Sequence, residues 1–256
     1  MKSESNFSDL KGKSTLITGG GSGIGAALTE GFLAQGATVA FLQRSDGADF
    51  CDEMRRKTGR SPEFIRCDLS DVSALRKAME AAAQKIGPIE VLVNNAANDA
   101  RHRMEEYSVE DWNGNHAVNL RPYFFSVQFA ARGMKRIGGG SIINFSSISY
   151  MAGAAGLPAY VTANAAITGL TRGLARELGP ARIRVNAIAP GWVLTKRQLN
   201  CWATPERLKA QLEKQCLKTH LAPKDIVGGC LFLASSASKM ITGQLIAIDG
   251  GVVATG

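Results

Sequence analysis

Tyr160 and Asn164 stand four residues apart in the segment Leu157–Gly179, LPAYVTANAAITGLTRGLARELG. Residues at that spacing share one face of a helix, so the two side chains point the same way. A tyrosine placed like this, with a lysine one turn on, is an arrangement that transfers protons. Here asparagine occupies the lysine's place. A second chemical signal lies near the start of the chain, in TLITGGGSGIGAAL. Its glycines follow the pattern Thr18-Gly19-x-x-x-Gly23-x-Gly25, looser than Gly-x-Gly-x-x-Gly. Glycines there let the backbone turn sharply and approach a pyrophosphate, whose charge rests on the N-terminus of the following helix. Gly25 lets that helix pack close to the sheet. The turn reads as a dinucleotide cradle.

The choice of dinucleotide is read about twenty residues on, where an acidic side chain would bind the adenosine ribose of NAD. The chain places Gln43 and Arg44 there. No carboxylate repels a 2′-phosphate, and a guanidinium is on hand to pair with it. NADP is therefore favoured, with NAD as the alternative. Asp68, in CDLSD, is placed to reach the adenine.

These residues need a frame. STLIT (14–18), ATVAFLQ (37–43), EFIRC (63–67), IEVLVNN (89–95), GSIINFSS (140–147), IRVNAIAP (183–190) and QLIAID (244–249) read as strands. Helical stretches alternate with them, near residues 23–35, 47–58, 71–86, 157–179 and 223–236, with two more between 95 and 140. Near-continuous apolar strands alternating with helices imply a parallel sheet covered on both faces. The expected fold is α/β: one doubly wound, Rossmann-type sheet in a single domain over residues 1–256. The longest irregular segment, 195–222, is either a small lid over the site or a surface insertion.

Composition bounds the function classes. The 256 residues are 45% hydrophobic and 20% charged, enough for a sizeable core and unlike a disordered chain. The net charge of +8 raises nucleic acid as a partner. The basic residues are dispersed and not interleaved with aromatics, which reads as a solvated surface that attracts an anionic cofactor. No apolar run reaches the roughly 18 residues of a membrane span, and the polar start MKSESNFSDLKGK is not a signal peptide. Five scattered cysteines, never Cys-x-x-Cys, fit a reducing cytoplasm better than disulfides or zinc. His102, His116 and His220 lack metal-ligand spacing, so no metal is expected.

Taken together, TGGGSGIG (18–25), NNAA (94–97), Asn119 in AVNL, Ser147 in NFSSIS, Tyr160, PG (190–191) and DGG (249–251) resemble the short-chain dehydrogenase/reductase family over nearly the whole chain. The wording of NNAANDARHRMEE, VNLRPYFFSVQ and TKRQL is most similar to bacterial aldose 1-dehydrogenases. The resemblance implies hydride transfer between a nicotinamide and a carbon bearing oxygen, here oxidation of a sugar at C1 to the lactone. It implies Tyr160 as acid/base, Ser147 as holder of the substrate oxygen, and Asn119 as positioner of a relay water. Cofactor contacts are implied for Gly19, Ser22, Gly23, Ile24, Gly25 and Gln43, then Arg44, Asp68, Leu69, Asn95 and Ala96. Tyr160, Asn164, Pro190, Gly191, Val193 and Thr195 complete that set, Thr195 at the nicotinamide amide.

The departure is Asn164, where the family carries the lysine that lowers the tyrosine pKa and bonds the nicotinamide ribose. A cation about 6 Å away at an effective dielectric of about 20 is worth roughly 2–3 kcal/mol. That is about two pKa units on a group that titrates near 10. The segment is catalytic by position and impaired by chemistry. An engineered substitution, a natural loss and rescue by another cation all remain open at this point. Asn98, Asp99, Arg101, His102, Ser149 and Gln198 surround the expected pocket and favour a polyhydroxylated ligand, with Asn98, Ser149 and Gln198 as substrate contacts. The alternatives are a carbonyl or 3-oxoacyl reductase on the same scaffold, and a cofactor-binding protein without turnover. The apolar C-terminal run GQLIAIDGGVVATG suits an edge contact between subunits, and a homotetramer is expected.

Overall fold

The computed structural model describes residues 6–254. The first five residues of the polar N-terminal stretch, and Thr255 and Gly256 of the C-terminal run, lie outside the described residues.

Seven strands form one sheet: β1 (Ser14–Thr18), β2 (Thr38–Gln43), β3 (Glu63–Arg66), β4 (Val91–Asn94), β5 (Gly140–Phe145), β6 (Ile183–Pro190) and β7 (Leu245–Ile248). Their order is β3-β2-β1-β4-β5-β6-β7, and every pairing is parallel. The order reverses between β1 and β4. Such a switch point opens a crevice at the carboxyl ends of the strands.

Alternate strand residues feed opposite faces. Leu16, Leu92, Ile142 and Val185 pack with Leu75 and Met79 of α3 (Val72–Ile86), Val127 of α5 (Arg121–Ile137) and Leu174 of α6 (Pro158–Leu178). Ile17, Val93, Ile143 and Ile188 pack with Leu28 and Phe32 of α1 (Gly23–Ala34), Met54 of α2 (Ala48–Thr58) and Ile226 of α9 (Pro223–Ala234). The central strands are mostly apolar because both of their faces are buried, whereas β3 and β7 at the sheet's edges are only partly buried.

Helix boundaries follow local chemistry. The Asp71 carboxylate accepts from the Ser73 and Ala74 amides and starts α3. Ser108 and Asp111 form a capping box at the head of α4 (Val109–Asn119). Pro158 opens α6 at its first turn, where its missing N–H is no loss. The expected irregular segment 195–222 is largely helical instead: α7 (Lys196–Cys201) and α8 (Pro205–Lys214) fill it. Both are short and polar, with Thr195 and Thr204 as side-chain caps, so apolar periodicity gave no sign of them.

Candidate active site

The glycine turn is built by its neighbours. Gly19 sits at φ 69° and Gly23 at φ 53°, in the left-handed region that side chains avoid. A Cβ on Gly25 would lie 1.9 Å from the Gly19 carbonyl oxygen, so only glycine lets α1 start this close to β1. The Thr18 hydroxyl accepts from the Asn95 amide at 2.9 Å and the Ala96 amide at 3.1 Å. The Asn95 side chain donates back to the Thr18 carbonyl at 3.0 Å. Asn95 thus shapes the turn by stitching the ends of β1 and β4 together.

Gln43 plays a different part from the one its position suggests. Its Oε1 accepts from the Gly21 amide at 3.0 Å, and its Nε2 donates to the Asp46 carbonyl at 3.0 Å. It is 8% exposed, locked into the turn and not held out to a ribose. Arg44 beside it is exposed. Asp68 lies close enough to Arg44 to feel its charge. The Ser70 hydroxyl and amide, with Arg44 adding to them, hold the Asp68 carboxyl below its ordinary range. Arg44 and Asp68 therefore share the outer end of the cradle, and Leu69 is buried behind them.

On the other side of the switch point, Ser147 follows β5 and Tyr160 occupies the first turn of α6. Burial pushes the Tyr160 phenol up, and the Asp99 carboxylate adds to it. Hydrogen bonds from Ser147 and Asn164 and the charge of Arg101 pull the other way. Asn164 is 3% exposed and its Nδ2 donates to the Tyr160 backbone carbonyl at 2.8 Å. The amide turns back along its own helix, and the cation that bears on the phenol is Arg101.

The two halves meet in a cavity of about 930 Å³. It is lined by Gly19, Ser22, Ile24, Gly25, Asn95 and Ala96 from the cradle, and by Pro190, Gly191, Val193 and Thr195 beyond β6. Ser147, Ser149, Tyr160, Asn164 and Gln198 line it as well. Gly23 faces Thr195 instead: a Cβ there would come 3.2 Å from the Thr195 Cγ2.

Asn119 and Asn98 do not line the cavity. The Asn119 Oδ1 accepts from the Asn98 amide at 2.7 Å, and its Nδ2 donates to the Asn98 carbonyl at 3.0 Å and to Asn115. The buried Asn119 side chain braces the loop after β4, where a water-holding part was expected. Asn98 is exposed, and its Oδ1 is used by the Ala100 amide and by Arg197. Gln198 lines the cavity with both amide ends engaged, accepting from Trp192 Nε1 at 2.8 Å and donating to Asp99 at 2.6 Å. It ties α7 to the loop after β4 and is not free for a ligand. His102 accepts from the Ala159 amide at the head of α6 and stacks on Tyr107.

Asp99, expected beside the pocket, is held by Arg197 at 3.2 Å and bears on the phenol. Trp202 in the cavity wall was invisible in the sequence, because no motif or spacing ties it to the other site residues. Among the described residues no cluster of histidine, cysteine or acidic side chains could hold a metal. No described helix is long and apolar enough to cross a membrane.

A family model described as enoyl-(acyl carrier protein) reductase matches residues 19–253. Over 250 residues the chain is 49% identical to a probable galactose dehydrogenase of Rhizobium meliloti, covering 97% of this chain and 98% of the relative. The chain belongs to the short-chain dehydrogenase/reductase family. This short-chain dehydrogenase/reductase is also 45% identical over 252 residues to D-xylose 1-dehydrogenase of Caulobacter vibrioides, covering 96% and 97% of the two chains. Among solved structures it is similar to the NADPH-dependent 3-quinuclidinone reductase of Rhodotorula rubra, with TM-score 0.89, 30% identity and coverage of 100% and 97%. A blue fluorescent protein from a metagenomic library, in complex with NADPH, matches with TM-score 0.87, 33% identity and coverage of 96% and 100%.

Proposed function

We propose that this short-chain dehydrogenase/reductase is an NADP-preferring aldose dehydrogenase, working as one catalytic domain, whose oxidative step is slowed by Asn164. One observation carries the reading: the glycine turn, Ser147 and Tyr160 line a single cavity. The names of the galactose and xylose relatives support a sugar as substrate. The cradle fits a dinucleotide, because the left-handed glycines and the absent Cβ at Gly25 leave room for a pyrophosphate at the head of α1. Arg44 would hold a 2′-phosphate, as an exposed guanidinium beside the adenosine end.

A nicotinamide held by the cradle would supply the hydride acceptor for C1. Ser147 holds the substrate oxygen, and Tyr160 takes its proton at the phenolic oxygen. To do so the phenol must first lose its own proton, which burial and Asp99 hold in place at neutral pH. The side chain is then a ready proton donor but a poor base. Oxidation rises with pH as Tyr160 ionises.

The polar wall, with Asp99, Arg101 and Ser149 around the phenol, suits a polyhydroxylated substrate better than an acyl chain, whose apolar carbons would leave these groups unpaired. The assay is a panel of aldoses with NADP+ and NAD+, at neutral and alkaline pH, on this chain and on Asn164→Lys. Formation of NADPH with an aldose supports the reading. No oxidation of any aldose by either chain overturns it.

We also propose a homotetramer in the cytoplasm. Among the described residues β7 pairs only with β6, and its residues Leu245–Ile248 are half-buried, which leaves a sheet edge for a second copy. The five cysteines are all free, in keeping with a reducing compartment. A monomer at micromolar concentration by light scattering would exclude the assembly.

A further inference from the structure

Among the described residues, three buried side-chain polar atoms have no hydrogen-bond partner: Thr15 Oγ1, Ser149 Oγ and Trp202 Nε1. Folded proteins leave few such atoms, because each has lost water without gaining a replacement. Thr15 lies inside β1 and does not line the cavity described above. Ser149 and Trp202 both line the cavity that holds Ser147 and Tyr160. They come from separate parts of the chain, Ser149 from the turn after β5 and Trp202 from the end of α7.

The indole is held in place. Its backbone N–H donates to the Gln198 carbonyl at 2.9 Å, and the Arg101 guanidinium sits 5.4 Å from its ring centre. The contrast with the other indole of this region is direct. Trp192 Nε1 donates to Gln198, which donates on to Asp99, so that donor is closed into the protein. Trp202 Nε1 is closed by nothing.

We infer that Trp202 Nε1 and Ser149 Oγ are a two-point clamp for oxygen atoms of the substrate, making Trp202 a specificity-determining residue. An indole N–H can only donate, so its partner carries an acceptor oxygen, a hydroxyl or a ring oxygen. The Ser149 hydroxyl both donates and accepts, and suits a second hydroxyl. An aliphatic chain would leave both atoms buried and unpaired, which a site built for hydroxyls rejects strongly. The inference rests on the proposed reading of the cavity as an aldose site.

Binding, unlike turnover, is measurable whatever Asn164 does to catalysis. D-Galactose, D-xylose and the monodeoxy galactoses are titrated by calorimetry into the full chain saturated with NADP+. Trp202→Phe keeps an aromatic side chain but loses the indole N–H along with the five-membered ring, and Ser149→Ala removes the second group. Each is expected to weaken the better-bound sugar by about three- to tenfold, the scale of one hydrogen bond, with NADP+ affinity unchanged. One monodeoxy galactose should bind Trp202→Phe as it binds the native chain, because its missing hydroxyl is the indole's partner. Equal affinity of both variants and the native chain for the sugar overturns the clamp and leaves the aldose reading standing. If the native chain binds no sugar at all, the aldose reading falls and the clamp with it. Should Trp202→Phe fail to fold, Ser149→Ala carries the same test alone.

Discussion

The two halves of the cavity wall use polar groups in opposite ways. On the cradle side, the polar side chains bond to the backbone they shape: Thr18 to Asn95 and Ala96, Asn95 to Thr18, Gln43 to Gly21 and Asp46. On the facing side, Ser149 Oγ and Trp202 Nε1 are buried without partners, and Tyr160 is held protonated by burial and a neighbouring carboxylate. One half is a finished mould made from backbone. The other is a set of side chains completed by what binds. A site that always takes the same cofactor can be moulded in advance, while substrate selection needs groups that gain something only when the right oxygens arrive.

The sharpest break of the mould is Gly25→Ala. The new methyl would meet the Gly19 carbonyl 1.9 Å away, so α1 or the turn must shift. A loss of about 3 kcal/mol is expected, the upper end of ordinary overpacking. NADP binding should fall with it. Denaturant unfolding and a cofactor titration read both, and a stable variant with native affinity would show the turn to be pliable.

On the facing side, Asn164→Lys should raise kcat for an aldose by at least about a hundredfold near neutral pH. That matches two pKa units on Tyr160 and the usual scale of acid–base catalysis. The sign follows from the environment. Burial and Asp99 raise the phenol, so the phenolate is scarce at neutral pH and a nearby cation makes it commoner. The gap between the two chains should narrow as pH rises. If the lysine form is no faster, another group moves the proton.

Arg44→Ala tests the one part of the cradle that works by side-chain charge. NADP affinity should drop by about 1.5–3 kcal/mol, the scale of a hydrogen bond to a charged group, and NAD affinity should hold. Equal losses would mean that Arg44 does not read the 2′-phosphate.

The smallest effect is a control outside both halves. Asp71→Ala removes the cap of α3, two accepted amide bonds, and should cost about 1 kcal/mol of stability. Cofactor and sugar affinity should stay as they are. A change in either would tie the cavity to the far face of the sheet.

The sequence by itself determined the parallel sheet and the turn, and it supplied the reacting groups proposed above. Seven apolar runs alternating with amphipathic helices leave few topologies, because right-handed crossovers and burial of both faces prune the rest. Gly19, Gly23 and Gly25 stand where only glycine fits, so their spacing alone specifies the bend. Tyr160 and Asn164 are one helical turn apart, and Asn164 in the lysine's place is legible directly.

Only the tertiary structure decided which polar groups are free. Gln43, Asn98, Asn119 and Gln198 look like ligand-binding residues in the sequence, yet each already bonds to the protein itself, Asn98 at the surface. Trp202 carries no signal in the sequence, yet it offers a free donor, and Asp99, expected only as a pocket residue, bears on the phenol. A side chain's availability depends on partners that arrive from other strands and loops. Sequence spacing specifies neighbours along a helix or strand, whereas pairing between β4, α6 and α7 is set by packing across the sheet's carboxyl edge.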